Sequence, residues 1–388
     1  MSSGPFPGSA EDKGSRIYPR GRLPQRPVLH PEGFGSSMAK LLIPLLAPLI
    51  LMLFIVPTGY LLEGPGPSFD LQEDLTVTGA KTYPSQGELM LTAVSLQESR
   101  LAYHLVAFFS DSFDLLKVRD YLGEELDTEE QDVVDIVITF LSQDTAVVAG
   151  LRELGMPVEV RMMGELVVGV APGYPASGAI DPGEVIVGVN GDPLDSPERL
   201  SEAITSSRDG EAVTLQVKSI DKDLALELNE RAMEEDAERP DLSTLLEEGV
   251  REVEIQPVYV PELDQRLIGV STRDFFTYTS DVEVEWELET VKGPSAGMMM
   301  TLSLVNALTP EDLTGGGKIA GTGEITIEGD VQPIGGLPFK IRAAESEGAL
   351  AFIYPVENQE DLAGFRTTLE LYAVDDLDDA LEALQAAR

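Results

Sequence analysis

Ser295 stands in the run Val291-Lys292-Gly293-Pro294-Ser295-Ala296-Gly297, between an alternating segment, Glu283–Thr290, and an apolar stretch on helical spacing, MMMTLSLVNAL. A serine at a turn into a helix can carry acyl-transfer chemistry. Small neighbours such as Gly293, Pro294 and Ala296 let a substrate backbone approach, and the N–H groups of a helix start can stabilise an oxyanion. The same pattern also reads as a helix cap, so a nucleophile here requires a base. The chain has no cysteine, which removes thiol nucleophiles, disulfides and cysteine metal sites together. It has two histidines, His30 and His104. That excludes a histidine-rich zinc site, and a Ser–His–Asp triad would have to use His104, which lies in the apolar run LAYHLVAFF and reads as a packed histidine. A lysine can replace histidine as base only where burial brings its pKa from about 10.4 down toward 7–8. Lys318 sits in GGGKIAG, which lacks both the spacing and the Ser/Thr of a phosphate-binding loop. No such loop occurs elsewhere, so no nucleotide or other cofactor is expected.

The elements that must position this serine are legible in part. LTVTGA and GELMLTAVSL (Gly87–Leu96) alternate like strands, and from about Asp111 to Leu154 apolar residues recur at threes and fours, with Gly155 as a C-cap. Short apolar strands follow at Leu166–Val170 and Val185–Val189. An Asn190-Gly191 turn comes next, then a helix near Ser196 and a strand pair at Ala212–Lys218 and Val250–Pro257. The acidic segment 221–250 reads as a solvated insertion on that hairpin. The order PGYPASG…GEVIVGVNG…L resembles a PDZ domain. That resemblance implies an extended-peptide groove, with its carboxylate loop at Leu154, Gly155 and Met156 of LGMP, a poor match to the family's Gly-Leu-Gly-Phe pattern.

Charge is distributed unevenly. The net charge is −41, yet residues 1–40 carry six basic and three acidic groups, leaving −44 for the rest. So acidic a body excludes nucleic acid as a partner, because phosphates would be repelled. Leu41–Leu62 holds 22 residues without a charge. At about 1.5 Å per residue these reach roughly 33 Å, enough for a bilayer core. Basic residues ahead of this stretch place 1–40 in the cytoplasm and the bulk of the chain outside, as in a single-pass signal anchor of the cell membrane. No A-x-A-like cleavage site follows.

Beyond Ser295 four further blocks recur: ALT after the helix, AGTGEIT, G-x-V-x-PIGG, and a lysine four residues after the second glycine of that pair. Together with GPSAG they resemble, in order and spacing over about residues 262–386, the proteolytic domain of the Lon family. The resemblance implies that Ser295 is the nucleophile, Lys340 the general base and Thr322 the threonine that holds the lysine. It also implies protein or peptide substrates and a homo-oligomeric, hexameric ring. Lys292 departs from ATP-dependent relatives, which commonly carry an acid there. Anchor, PDZ-like part and Lon-like part together resemble the bacterial membrane PDZ/Lon proteases.

The expected architecture is α+β. It comprises a tail (1–40), a transmembrane helix (41–62), a strand and helical arm (63–154), a PDZ-like domain (155–260) and a Lon-type domain (261–388). The expected activity is ATP-independent endopeptidase action on extracytoplasmic unfolded or membrane-proximal proteins, without a metal. Two other readings stand beside it: a non-catalytic membrane-tethered PDZ adaptor, and a Ser–Lys processing peptidase of the signal-peptidase kind, which shares the dyad but not these motif blocks.

Overall fold

The computed structural model describes residues 48, 50–110, 112–118, 128–196, 198–232, 240–287 and 292–387. The chain divides into two compact units, Met1–Met52 and Leu53–Arg388. Residues 50–55 are helical, and strand β1 (Pro57–Asp70) starts two residues later. The stretch expected to be helical to Leu62 is therefore strand over its last six residues. Proline at 57 has no N–H for a helical bond, and Leu62 is buried where β1 lies between two antiparallel partners. After β2 (Leu75–Thr78) comes β3 (Glu88–Arg100), antiparallel to β1 with Arg100 opposite Pro57. Helix α1 (Leu101–Phe109) and β4 (Asp114–Lys117) follow, and β4 pairs with Tyr60–Glu63 of β1.

Helix α2 (Thr128–Glu153) occupies the C-terminal part of the helical pattern; Asp111 and 119–127 lie outside the described residues. From Gln131 to Glu153 it is, among the described residues, the one helix long and apolar enough to cross a membrane, yet most of it is buried inside the body. The successive residues Ala146, Val147, Val148 and Ala149 show why: all four are buried, so the helix is covered on several sides.

The sheet expected to be PDZ-like follows. Strands β5 (Glu159–Val170) and β6 (Val185–Val189), helix α3 (Glu198–Thr205) and β7 (Val213–Lys218) lead to helix α4 (Lys222–Arg231), β8 (Arg251–Ile255) and β9 (Val270–Thr279). The strand order is β9-β5-β6-β7-β8, so β9 is an edge strand. Asn190 and Gly191 both adopt positive φ in the turn after β6, the conformation their types tolerate. The insertion does sit on the β7–β8 hairpin, but it is not wholly solvated. Ala225, Leu242 and Leu245 are buried in one cluster with Val133 and Val137 of α2.

Strand β10 (Glu283–Trp286) pairs with β2. Then come helix α5 (Gly297–Leu308), β11 (Lys318–Gly321), β12 (Glu324–Ile325), helix α6 (Leu337–Ser346), β13 (Ala351–Pro355), β14 (Glu370–Val374) and helix α7 (Leu377–Ala386). They complete a six-stranded sheet of order β14-β13-β11-β3-β1-β4, in which β3 and β11 run parallel with Glu88 opposite Lys318. Two domain boundaries move as a result. The segment 63–154 is no separate arm, because β1 and β3 lie in the sheet that carries the C-terminal strands. The boundary at 261 also falls too early, because β9 pairs along its length with β5 of the PDZ sheet.

Candidate active site

Ser295 lies in a single 3-10 turn, Pro294–Ala296, that feeds directly into α5. Gly293 enters the turn at φ 93°, a backbone region where a side chain is strained, so glycine is required on conformational grounds. Its N–H donates to Thr139 Oγ1 at 2.8 Å, and Ser142 Oγ donates to the Pro294 carbonyl at 3.2 Å. Both partners lie one turn apart on α2, so the buried helix holds the turn from below. On the other side the Gly323 N–H donates to the Ser295 carbonyl at 3.0 Å, and the Met298 N–H donates to the Gly323 carbonyl.

Lys340 is delivered by α6. That helix follows Gly336, whose φ of 71° turns the chain sharply, and Pro338 lies in its first turn. One turn in, the lysine points inward among Leu337, Ile341 and Ala344 and is only 4% exposed. Its Nζ lies 2.6 Å from Ser295 Oγ and 3.0 Å from Thr322 Oγ1. Thr322 itself is fully buried just after β11, and its hydroxyl donates to the Ser295 carbonyl at 3.0 Å. Burial lowers the Lys340 pKa from 10.5 to about 8, since an apolar surround penalises the charged amine. A serine hydroxyl against an amine that is partly neutral near pH 7 can pass its proton and become nucleophilic.

The structure thus brings Ser295, Lys340 and Thr322 together, with Gly293, Pro294 and Ala296 forming the turn. It does not bring Leu154, Gly155 and Met156 to the PDZ groove. Leu154 and Met156 pack at the end of α2 against the core cluster that includes Met298–Met300 of α5. Lys292 is a surface residue paired with Asp132 at 2.9 Å, and Lys318 pairs with Glu88 at 2.6 Å, so neither competes for the role of base. His104 sits on α1, edge-on to Tyr60.

Two grooves meet at Thr272 of β9. One, of about 260 Å³, lies between α3 (Leu200, Ser201, Thr205) and the segment Gln265–Val270. The other, of about 390 Å³, is lined by Thr272–Asp274, Pro294 and Glu324–Ile327, beside the Ser295 turn. A larger depression of about 900 Å³, around residues 70–88, contains none of the three site residues. The first groove lies beside the loop ahead of β9 and not at Leu154–Met156. Its signal was in the sequence: Leu267-Ile268-Gly269-Val270 is an apolar, glycine-bearing loop ahead of a strand, but it comes after the other PDZ strands instead of before them. Thr139 and Ser142 were also missed, because hydroxyls on an apolar helix carry no local mark of what they hold.

Fold and site together place a buried lysine against a serine, the arrangement a Ser–Lys peptidase would need, beside a sheet of the kind expected for a PDZ domain. Residues 275–386 match the Lon protease (S16) C-terminal proteolytic domain and residues 152–229 a PDZ domain, so the chain carries both. Over 93 residues it is 43% identical to Lon protease 1 of Sorangium cellulosum, covering 23% of this chain and 11% of that protein. Over 94 residues it is 40% identical to Lon protease of Solibacter usitatus, with the same coverage. The chain therefore spans about a ninth of the length of these curated relatives. The PDZ domain of an SdrC-like protein from Listeria monocytogenes aligns over 29% of this chain and 92% of its own, at 15% identity and a TM-score of 0.20, too slight a likeness to argue from.

Proposed function

We propose that the chain is a membrane-anchored endopeptidase that cleaves loose or membrane-proximal polypeptides without ATP, through a Ser295–Lys340 dyad. The observation that carries this reading is the buried amine of Lys340, 2.6 Å from Ser295 Oγ and held also by Thr322. In the proposed reaction the neutral amine takes the Ser295 proton as the oxygen attacks the scissile carbonyl. The N–H groups at the helix start beside Ser295 stabilise the oxyanion. The lysine then returns the proton to the leaving amine, and water attacks the acyl-enzyme by the same route.

ATP independence is supported by the lack of any phosphate-binding loop in these 388 residues. Membrane anchoring is supported by Leu41–Val56, 16 residues without a charge that lead straight into β1. With the basic residues of 1–40 on the cytoplasmic side, the peptidase is extracytoplasmic. The PDZ groove would take an extended segment of the substrate, and a homo-oligomeric ring would restrict access to unfolded chains.

The test is casein hydrolysis by the full chain, without ATP, beside Ser295→Ala and Lys340→Ala. Activity that vanishes in both variants supports the dyad. Activity that survives Ser295→Ala overturns it, and an inert wild-type chain that a serine-reactive phosphonate does not label returns the protein to the adaptor reading.

A further inference from the structure

Helix α1 reverses the usual amphipathic arrangement. Its nine residues, LAYHLVAFF, carry no charge, and Ala102 is the one residue fully buried. Tyr103 and His104 are half-buried on the inner side, with His104 against Tyr60 of β1, ring centroids 5.2 Å apart. The outer side is the more apolar one: Leu101, Leu105, Phe108 and Phe109 are 46%, 56%, 79% and 82% exposed. These positions stand at i, i+4, i+7 and i+8, one face of a helix. A stripe of that size left in water marks an interaction surface.

Its place in the fold says what covers it. Arg100, the residue before α1, is the register partner of Pro57, the first residue of β1. The Arg100 guanidinium also donates to the Ile55 carbonyl at 2.7 Å. The stripe therefore begins at the end of the sheet where the chain arrives from its apolar segment, and Phe54, Ile55 and Val56 are themselves exposed there. The length of that segment bears on the same point. Because residues 57–62 are strand, 16 uncharged residues remain, Leu41–Val56. At about 1.5 Å each they reach roughly 24 Å, less than a hydrocarbon core of about 30 Å. A span that short draws the start of the body into the interface, where an apolar helix face can replace the missing length.

We propose that α1 lies in the plane of a phospholipid bilayer, with Leu101, Leu105, Phe108 and Phe109 in the lipid, as a second and interfacial contact beside the anchor. This rests on the anchor reading. The surface that α1 suits is zwitterionic, because a body of charge −44 beyond residue 40 is repelled by anionic headgroups. The contact would fix the orientation of the peptidase relative to the membrane and hold its grooves at one height above it.

The test is depth-resolved fluorescence on the full chain in phosphatidylcholine vesicles carrying bromine-labelled acyl chains. The single native tryptophan, Trp286, is buried in the peptidase core and supplies a constant background. Phe108→Trp reports on α1 and Phe54→Trp on the anchor. Blue-shifted emission with severalfold quenching at both positions is expected. Quenching at 54 but not at 108 overturns the proposal and leaves the anchor standing. Blue-shifted emission at 108 without quenching also overturns it and points to a contact between copies of the chain. Quenching at neither position overturns both readings. Quenching at 108 alone removes the anchor and overturns the proposal as a second contact beside it.

Discussion

At the scale of single residues the dyad depends on how much burial costs a lysine. Desolvation alone lowers Lys340 to about 8, so at pH 7 about a tenth of the amines are neutral and competent as base. Peptide hydrolysis should therefore rise roughly tenfold between pH 7 and pH 9, with an apparent pKa near 8 in kcat/KM. A profile flat across that range would remove Lys340 from the role of base. The same shift makes a statement about stability. The folded pKa lies below the unfolded value of 10.5, so the contribution is complete above 10.5, fades as pH falls toward 8, and stays lost below that. The penalty at pH 7 is about 3 kcal/mol, offset in part by the bonds to Ser295 and Thr322 at about 1 kcal/mol each. Lys340→Met should thus abolish hydrolysis yet raise the midpoint of thermal unfolding at pH 7. The gain should shrink as pH climbs from 8 to 10. Thr322→Val keeps the volume but removes one hydroxyl that holds the amine. A tenfold or greater fall in kcat with little change in KM is expected from steady-state kinetics on a short peptide.

At the scale of elements, α2 positions the nucleophile from a distance. Thr139 accepts the Gly293 N–H, and Gly293 sets the entry to the serine turn. Thr139→Val should leave that N–H unpaired and the turn loose, lowering kcat about tenfold while destabilising the fold by only about 1 kcal/mol. Thr139→Ser should restore both, and thermal melts beside kinetics separate a positioning effect from a merely structural one. The link from α2 to the serine turn also shows where sequence reading stops. What is written locally was legible: the strand Val185–Val189, the turn at Asn190-Gly191, and the helix after GPSAG all follow from periodicity or from residue conformation. The Ser295, Lys340 and Thr322 set was legible too, but only as a resemblance spread over several blocks. Parallel pairing of Glu88–Leu91 with Lys318–Gly321 was not, because residues far apart in the chain leave no mutual mark on either segment. Nor was β1, whose Gly64-Pro65-Gly66-Pro67 interrupts the alternation that announces a strand. The apolar count that suggested a membrane helix to Leu62 could not see that Leu62 has a sheet to enter.

At the scale of the whole molecule, the proposed peptidase reading makes the junction between β9 and the serine turn the place where substrates would arrive. Strand β9 is the edge of the PDZ sheet, and Thr272 lines both the groove beside α3 and the groove beside the serine turn. An extended chain added to that edge would gain main-chain hydrogen bonds along β9 while one end lay near Ser295. Arg273 and Glu324 are paired, with Arg273 Nη2 donating to Glu324 at 2.9 Å, so the two bodies are tied at the point where the grooves meet. The walls are acidic. Burial raises Glu165 to about 7 and Asp274 to about 6, so this junction gains negative charge as the pH rises through neutrality. A substrate long enough to occupy both grooves should therefore gain affinity from the first, and one only a few residues long should not. Ser201 is exposed on α3 and lines the first groove without contributing to the core, so Ser201→Trp fills the groove without disturbing the fold. For an unfolded protein substrate this variant should raise KM about tenfold and leave kcat alone. For a peptide of a few residues neither constant should move. Equal loss on both substrates would mean that the substitution had reached the serine turn, and no loss on either would mean that chains reach Ser295 without passing β9.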